Sequence, residues 1–348
     1  MLNSMPRIAR SRNNTSPHRG TGELALIERI RQKAPAIPNK TLALGIGDDC
    51  AILRSRPGED LLVTTDFSLE TRHFRRDWHS PQSIGHRTLA RGLSDLAAMG
   101  ARPLAAFLSL ALPKNVARDP AWLDGFLDGL LTLAAQHNVP LAGGDTSESP
   151  SPHILADIVL LGAAPRGRAL LRSGARPGDL VYCTGSLGGA AAELALLQKS
   201  PRRFRSATPA DDHPHLFPAP RLKTGQALLK RNLATACIDI SDGLSTDLAH
   251  LCTASNVAAE IDAALLPAHP LTARLTDVEQ ITAILHGGED YELLFTAAAS
   301  TKIPRSLGGV PLTRIGRILK RTKSAPAMTI LAEGTRFELH PQGWEHLK

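Results

Sequence analysis

Apolar positions along the chain switch between two spacings, and the switches lay out the elements. Leu24, Ile27 and Ile30 fall on one helical face and predict a short helix over Glu23–Lys33. Short apolar runs at Leu42–Leu44, Ala51–Leu53 and Leu61–Thr65 predict strands. Ser80-Pro81 supplies a capping hydroxyl and then proline at the first helical position, so a helix is predicted from there to Met99, stopped by Gly100. A strand over Leu104–Leu112 comes next. Asp119-Pro120 then caps a second helix, whose Trp122, Phe126, Leu127, Leu130 and Leu131 read as core. Val139–Ala142 leads into Gly143-Gly144-Asp145, and Ile154–Leu161 is another strand.

Around residues 164–176 the composition turns to Arg, Gly and Pro, which marks a domain boundary. Beyond it, Gly178–Gly189 reads as a strand feeding a Gly-rich loop, with an Ala/Leu helix after it. The basic, aperiodic stretch from Lys199 to Pro214 reads as an exposed loop. Strands at Ala236–Ile240, Val257–Ile261 and Tyr291–Thr296 alternate with helices at Leu244–Ala254 and Val278–Leu285. Arg314–Leu319 is the last strand expected before an irregular C-terminus. Such alternation predicts an α/β (α+β) protein of two domains, 21–165 and 166–348, preceded by a disordered Arg- and Ser-rich tail over 1–20.

Composition narrows the classes. With 43% hydrophobic and 21% charged residues the chain is an ordinary globular one, and aromatics at 4% leave an aliphatic core. The net charge of +7 falls to about +3 once Arg7, Arg10, Arg12 and Arg19 of the tail are set aside, so no nucleic-acid partner is expected. Cys50, Cys183, Cys237 and Cys252 are far apart with no Cys-x-x-Cys, which argues against a zinc site or disulfide framework and for a cytoplasmic location. No apolar run is long enough to span a membrane.

Chemistry shows in the carboxylates. Gly45-Ile-Gly-Asp-Asp-Cys50 puts two acids side by side after a glycine turn. The pattern recurs at Thr64-Thr65-Asp66, Gly143-Gly144-Asp145, Asp239-Ile-Ser-Asp242 and Gly287-Gly288-Glu289-Asp290, each expected at a strand end. Like charges brought together repel unless a cation joins them, so a shared cation site is expected. Oxygen ligands without a Cys or His cluster select Mg²⁺. The phosphate-binding loop Gly-x-x-x-x-Gly-Lys-Ser/Thr and the protein-kinase signatures are both missing.

Six motifs together resemble the thiamine-monophosphate kinase family: Gly45–Ala51, Thr64–Phe74, Leu93–Ala101, Gly143–Thr146, Ile238–Leu244 and Gly287–Leu293. They stand in the family's order, span about residues 22–348, and belong to a superfamily that includes aminoimidazole ribonucleotide synthetase and selenophosphate synthetase. The resemblance implies ATP-dependent phosphorylation of thiamine monophosphate to thiamine diphosphate, and a homodimer paired through N-terminal domains of mixed sheet and helices. It implies several Mg²⁺ ions held by Asp49, Thr64, Thr65, Asp66, Asp95, Asp239 and Asp242. It also implies ATP contacts from Gly144, Asp145, Arg172 and Ser241, and thiamine monophosphate contacts from His73, Glu289 and Trp344. No general base or nucleophile is expected.

Thr71, Arg72 and Gly92 depart from the family pattern. The site residues also have plainer uses: Ser241 and Asp242 as helix caps, Gly143-Gly144 as a turn, Trp344 as a packing anchor. Two other functions stay open at this stage. One is a different ATP-dependent reaction of the superfamily, and the other is nucleic-acid binding through the basic segments.

Overall fold

The computed structural model describes residues 23–34, 41–46 and 50–344. The tail over 1–20 and Asp49 lie outside the described residues. In chain order the elements begin with α1 (Glu23–Lys33), β1 (Leu42–Leu44), β2 (Ile52–Leu53), β3 (Glu59–Leu69), α2 (Pro81–Ala98), β4 (Arg102–Leu112), α3 (Lys114–Ala117) and α4 (Pro120–Gln136). Next are β5 (Leu141–Glu148), β6 (Leu155–Pro165), β7 (Leu180–Thr184), α5 (Gly189–Lys199), α6 (Leu222–Lys230), β8 (Ala236–Ile240), α7 (Leu244–Ser255) and β9 (Val257–Asp262). Last come α8 (Asp277–His286), β10 (Glu292–Ala297), β11 (Ser306–Leu307), β12 (Val310–Lys320), β13 (Met328–Ala332) and β14 (Thr335–Glu338).

The first half builds a four-stranded mixed sheet in the order β3-β6-β4-β5, with β4 and β5 parallel and the other pairs antiparallel. The second half builds a larger mixed sheet in the order β14-β13-β9-β12-β7-β10-β8. Between them lies α2. Ser80 Oγ accepts from Ser83 N, Pro81 opens the first turn, and buried residues are found on every side of the helix. Close backbone approach makes this possible: a Cβ on Gly85 would sit 1.9 Å from the carbonyl oxygen of Phe126 in α4, and one on Gly225 of α6 would sit 1.9 Å from that of Ala97. The core cluster around α2 accordingly includes Leu93 and Ile158 of the first half with Leu228, Leu293 and Phe295 of the second.

Three expectations need correction. Asp66 and Asp145 lie inside β3 and β5, not at strand ends. The C-terminus is not irregular after β12, because β13 pairs parallel with β9 and β14 closes a hairpin on it. The Lys199–Pro214 segment is not simply an exposed loop: after a short 3₁₀ turn its end folds inward, and the Glu193 carboxylate accepts from His213 Nδ1 at 2.5 Å and from His215 N at 2.7 Å.

Candidate active site

A cavity of about 370 Å³ opens between the two halves, lined among others by Asp66, Asp95, Asp239, Asp242, Glu289 and Trp344. Each wall follows from local structure. In β3, side chains alternate across the sheet, so Thr64 and Asp66 point to α2 while Val63, Thr65 and Phe67 point away. Thr65 Oγ1 donates to Asp157 at 2.7 Å on that outer face. Of the three neighbours expected to hold Mg²⁺, Thr64 and Asp66 turn their side chains toward α2 and Thr65 turns its side chain to the other face of the sheet.

On α2, Arg87, Arg91 and Asp95 are spaced four apart and share one face; Arg91 and Asp95 line the cavity and Arg87 reaches Glu289 in its wall. Thr64 Oγ1 donates to Asp95 Oδ2, and Ser94 Oγ donates to Asp239 Oδ2 at 2.7 Å. Asp239 sits near the end of β8, the edge strand, and β8 runs into the loop Ser241–Gly243. That loop is held by one carboxylate: Asp247, inside α7, accepts from Ser241 N, Asp242 N and Gly243 N, each at 3.1 Å. Asp242 thus faces the cavity without having to cap the helix.

The loop before β10 makes the opposite wall. Gly288 is needed there because a Cβ would meet the Ser241 carbonyl oxygen at 2.7 Å. Glu289 and Tyr291 both take left-handed backbone angles, φ 68° and 50°, and are held there by Glu289 N to Ser241 O (2.8 Å) and Tyr291 N to Ile240 O (2.9 Å). Non-glycine residues held in this region store strain, which is characteristic of functional sites. The C-terminal segment completes the rim. Gln342 N and Gly343 N donate to Ser245 and Thr246, and Trp344 N donates to Asp242 O at 3.0 Å, which leaves the indole half exposed over the opening.

Electrostatically the cavity is divided. Burial and the neighbouring Asp95 raise the Asp66 carboxyl to about 6 despite Arg91 at 3.5 Å, and burial with Asp95 raises Asp239 to about 7. Burial also raises Asp95. Glu289 behaves in the opposite way. Burial would raise it, but Arg87 at 2.8 Å, His215 at 3.2 Å and Arg91 at 3.5 Å hold it well below the usual range. The acidic side therefore carries charge that the chain leaves unbalanced, while Glu289 is a fixed anion.

Of the expected site residues, Asp66, His73, Asp95, Asp239, Ser241, Asp242, Glu289 and Trp344 line this one cavity. Thr64 and Arg172 line an adjoining cavity of about 450 Å³ that shares Asp95 and Asp239 with it. Gly144 and Asp145 are not brought together with these. They border a separate, larger cavity of about 770 Å³ beneath α1, with Ile27, Ile46 and Phe107. Among the described residues no three acidic, His or Cys side chains converge closely enough to cage an ion.

Arg87, Arg91, His215 and Tyr291 were missed. For the two arginines the signal was present, in their placement four and eight residues before Asp95. For His215, which follows an aperiodic stretch, there was none.

Comparison with known proteins agrees with this layout. The AIR synthase related protein N-terminal domain family matches residues 47–164, and its C-terminal domain family matches 176–327. The thiamine-monophosphate kinase of Escherichia coli K12 is 40% identical over 334 residues, covering 93% of this chain and 98% of that one. A crystal structure of the same enzyme from Stenotrophomonas maltophilia K279a superposes with a TM-score of 0.76 at 38% identity, covering 89% and 96% of the two chains. A further structure, AaThiL complexed with AMPPCP and TMP, superposes with a TM-score of 0.72 at 30% identity, covering 94% and 97%. With matches of this extent to both domain families and to near-full-length relatives, the chain belongs to the thiamine-monophosphate kinase family, within the AIR synthase related proteins.

Proposed function

We propose that this chain uses ATP to phosphorylate thiamine monophosphate to thiamine diphosphate in the cavity between its two halves. The observation that carries the reading is the division of that cavity: four aspartates on one side, and a clamped carboxylate with an exposed indole on the other. Phosphoryl transfer between two anions needs positive charge between them. A cationic heteroaromatic substrate needs an aromatic face and an anion. Incubation with ATP, Mg²⁺ and thiamine monophosphate should yield thiamine diphosphate, and failure to form it would overturn the reading.

The donor set fits Mg²⁺. Its ligands are oxygen only, and the carboxyls of Asp66, Asp95 and Asp239 are raised by burial, with the neighbouring Asp95 adding repulsion at Asp66 and Asp239. A closed protein cage is not required, since Mg²⁺ is commonly held by one or two carboxylates together with substrate phosphates. Asp66, Asp95, Asp239 and Asp242, with Asp49, would hold it, and Thr64 steadies Asp95. Bound there, Mg²⁺ would neutralise phosphate charge. Arg172, Ser241, Gly144 and Asp145 are assigned to ATP.

Transfer is direct and in line. The acceptor is already an anionic phosphate oxygen, so no base is needed. His73 is suited to gripping that phosphate and not to carrying a phosphoryl group: its Nδ1 accepts from Leu69 N at 2.9 Å, so in the neutral ring the lone pair is engaged and Nε2 is the protonated, donating nitrogen. Inversion at a chiral γ-phosphorus is expected, and retention would exclude direct transfer.

Self-association and location complete the proposal. β3 is the edge strand of its sheet, and its outer face exposes Leu61, Val63 and Phe67 to 51%, 66% and 60%. An apolar stripe on a strand that pairs on one side only among the described residues supports a homodimer formed through this face. Sedimentation should give twice the monomer mass. No described helix is long and apolar enough to cross a membrane, and the free state of all four cysteines supports a cytoplasmic location.

A further inference from the structure

Glu289 is held by more than the two arginines of α2. Its Oε2 lies 3.2 Å from His215 Nδ1. His215 Nε2 lies 3.0 Å from His79 Nε2. His79 Nδ1 lies 3.2 Å from the Arg75 amide nitrogen and 3.1 Å from the Arg75 carbonyl oxygen. Both rings are almost completely buried, at 2% and 4% exposure. Burial pushes His79 down to about 2, and burial with Arg87 lowers His215, so both are neutral and each carries one ring proton.

Two nitrogens facing each other at 3.0 Å require one donor and one acceptor, so fixing one proton fixes both rings. The ends of the chain decide which arrangement holds. The Arg75 carbonyl already accepts from His79 N at 2.8 Å, whereas His79 Nδ1 is the one acceptor found for Arg75 N–H among the described residues. At the other end, Arg87 NH1 also lies 3.2 Å from His215 Nδ1, but the guanidinium already donates to the carbonyls of His73 and His215 and to Glu289. Glu289 Oε2, by contrast, is an anion facing that nitrogen.

We propose that His79 and His215 are positioning residues for Glu289: Arg75 N–H donates to His79 Nδ1, His79 Nε2–H to His215 Nε2, and His215 Nδ1–H to Glu289 Oε2. The relay fixes the rotation of the carboxylate, with Oε1 turned to Arg87 and Arg91 and Oε2 to His215. It also ties Glu289 to the segment that carries His73, whose carbonyl accepts from the same Arg87. The grip on the cationic ring of the substrate and the grip on its phosphate are thereby set by one hydrogen-bonded unit. This inference rests on the reading of Glu289 as a substrate contact.

The test has two arms. In ¹⁵N-imidazole NMR of the full-length, ligand-free protein, His215 should be protonated on Nδ1 and His79 on Nε2, and the reverse tautomers would overturn the relay whether or not the enzyme phosphorylates thiamine monophosphate. In steady-state kinetics, His79→Leu should raise KM for thiamine monophosphate about tenfold, with kcat and the KM for ATP within about twofold. His79→Gln keeps a donor toward His215 and an acceptor toward Arg75, and should restore most of the loss. Equal behaviour of the two variants, or equal loss for both substrates, would overturn the proposal in favour of packing. Should His79→Leu not fold, the NMR arm decides. A wild-type protein inactive on thiamine monophosphate would sink the functional reading and leave the tautomer assignment standing or falling on its own signals.

Discussion

Two groups of buried acids in this molecule are treated in opposite ways. In the second domain, Glu292 accepts from Arg221 Nε and NH2 at 2.7 and 2.5 Å and from Thr184 Oγ1 at 2.5 Å. Glu260 is likewise closed by Arg317 and Arg336. At the cavity, Asp95 and Asp239 receive hydroxyls from Thr64 and Ser94, and Asp66 has Arg91 only at 3.5 Å. For Glu292 and Glu260 the chain supplies the cations. The cavity aspartates it keeps together with hydroxyl partners and one arginine at 3.5 Å, which leaves much of their charge for a ligand to balance.

The comparison can be broken most forcefully at its closed end. Arg221→Met strands the Glu292 charge, and loss of one partner from a buried pair costs about 3–5 kcal/mol. Urea denaturation should show that loss with little change in the KM of the surviving folded enzyme. A stability change near zero would mean that Glu292 and Arg221 are not a structural pair.

At the open end the signs should reverse. Asp239→Asn keeps the contact with Ser94 and removes an unbalanced charge. It should lower kcat/KM by about a hundredfold, roughly 3 kcal/mol, and abolish the thermal shift given by Mg²⁺ with ATP. Metal-free stability should rise. Because the folded carboxyl is raised to about 7, above its unfolded value near 4, the folded state binds the proton more tightly, and its destabilising charge appears as pH climbs between those values. The stability advantage of Asp239→Asn should therefore be small near pH 4 and full above about pH 7. An unchanged Mg²⁺–ATP shift would remove Asp239 from the site.

The rim sharpens the contrast by a smaller amount. Trp344→Ala should raise KM for thiamine monophosphate about tenfold and leave both ATP affinity and the melting temperature nearly unchanged. A fall in melting temperature with equal loss for both substrates would class Trp344 with the packing residues.

How far these features could be read from sequence depended on whether they obey a period. α2 was visible from Ser80-Pro81 to Gly100, and the acids sit beside recognisable glycines. The split between Thr65 and its neighbours also follows from strand alternation, once Asp66 is placed inside β3 and not after it. β13 and β14 were hidden because they are short and follow the polar, proline-containing stretch 321–327. The separation of Gly144 and Asp145 from the aspartates depends on which face of which sheet meets α2, which local spacing does not encode. His215 depends on a loop folding back onto Glu193, a long-range packing choice.

The burial of α2 on every side bears on how the protein comes apart. Its apolar side chains belong to a core drawn from both sheets, so neither half can lose its structure without exposing the other's interior. A two-domain chain ordinarily melts in steps, but this one should melt as a single cooperative unit, with calorimetric and van't Hoff enthalpies in agreement. Either half produced alone would carry a raw apolar face, so splitting the gene near residue 165 should give two insoluble fragments that become soluble only when made together.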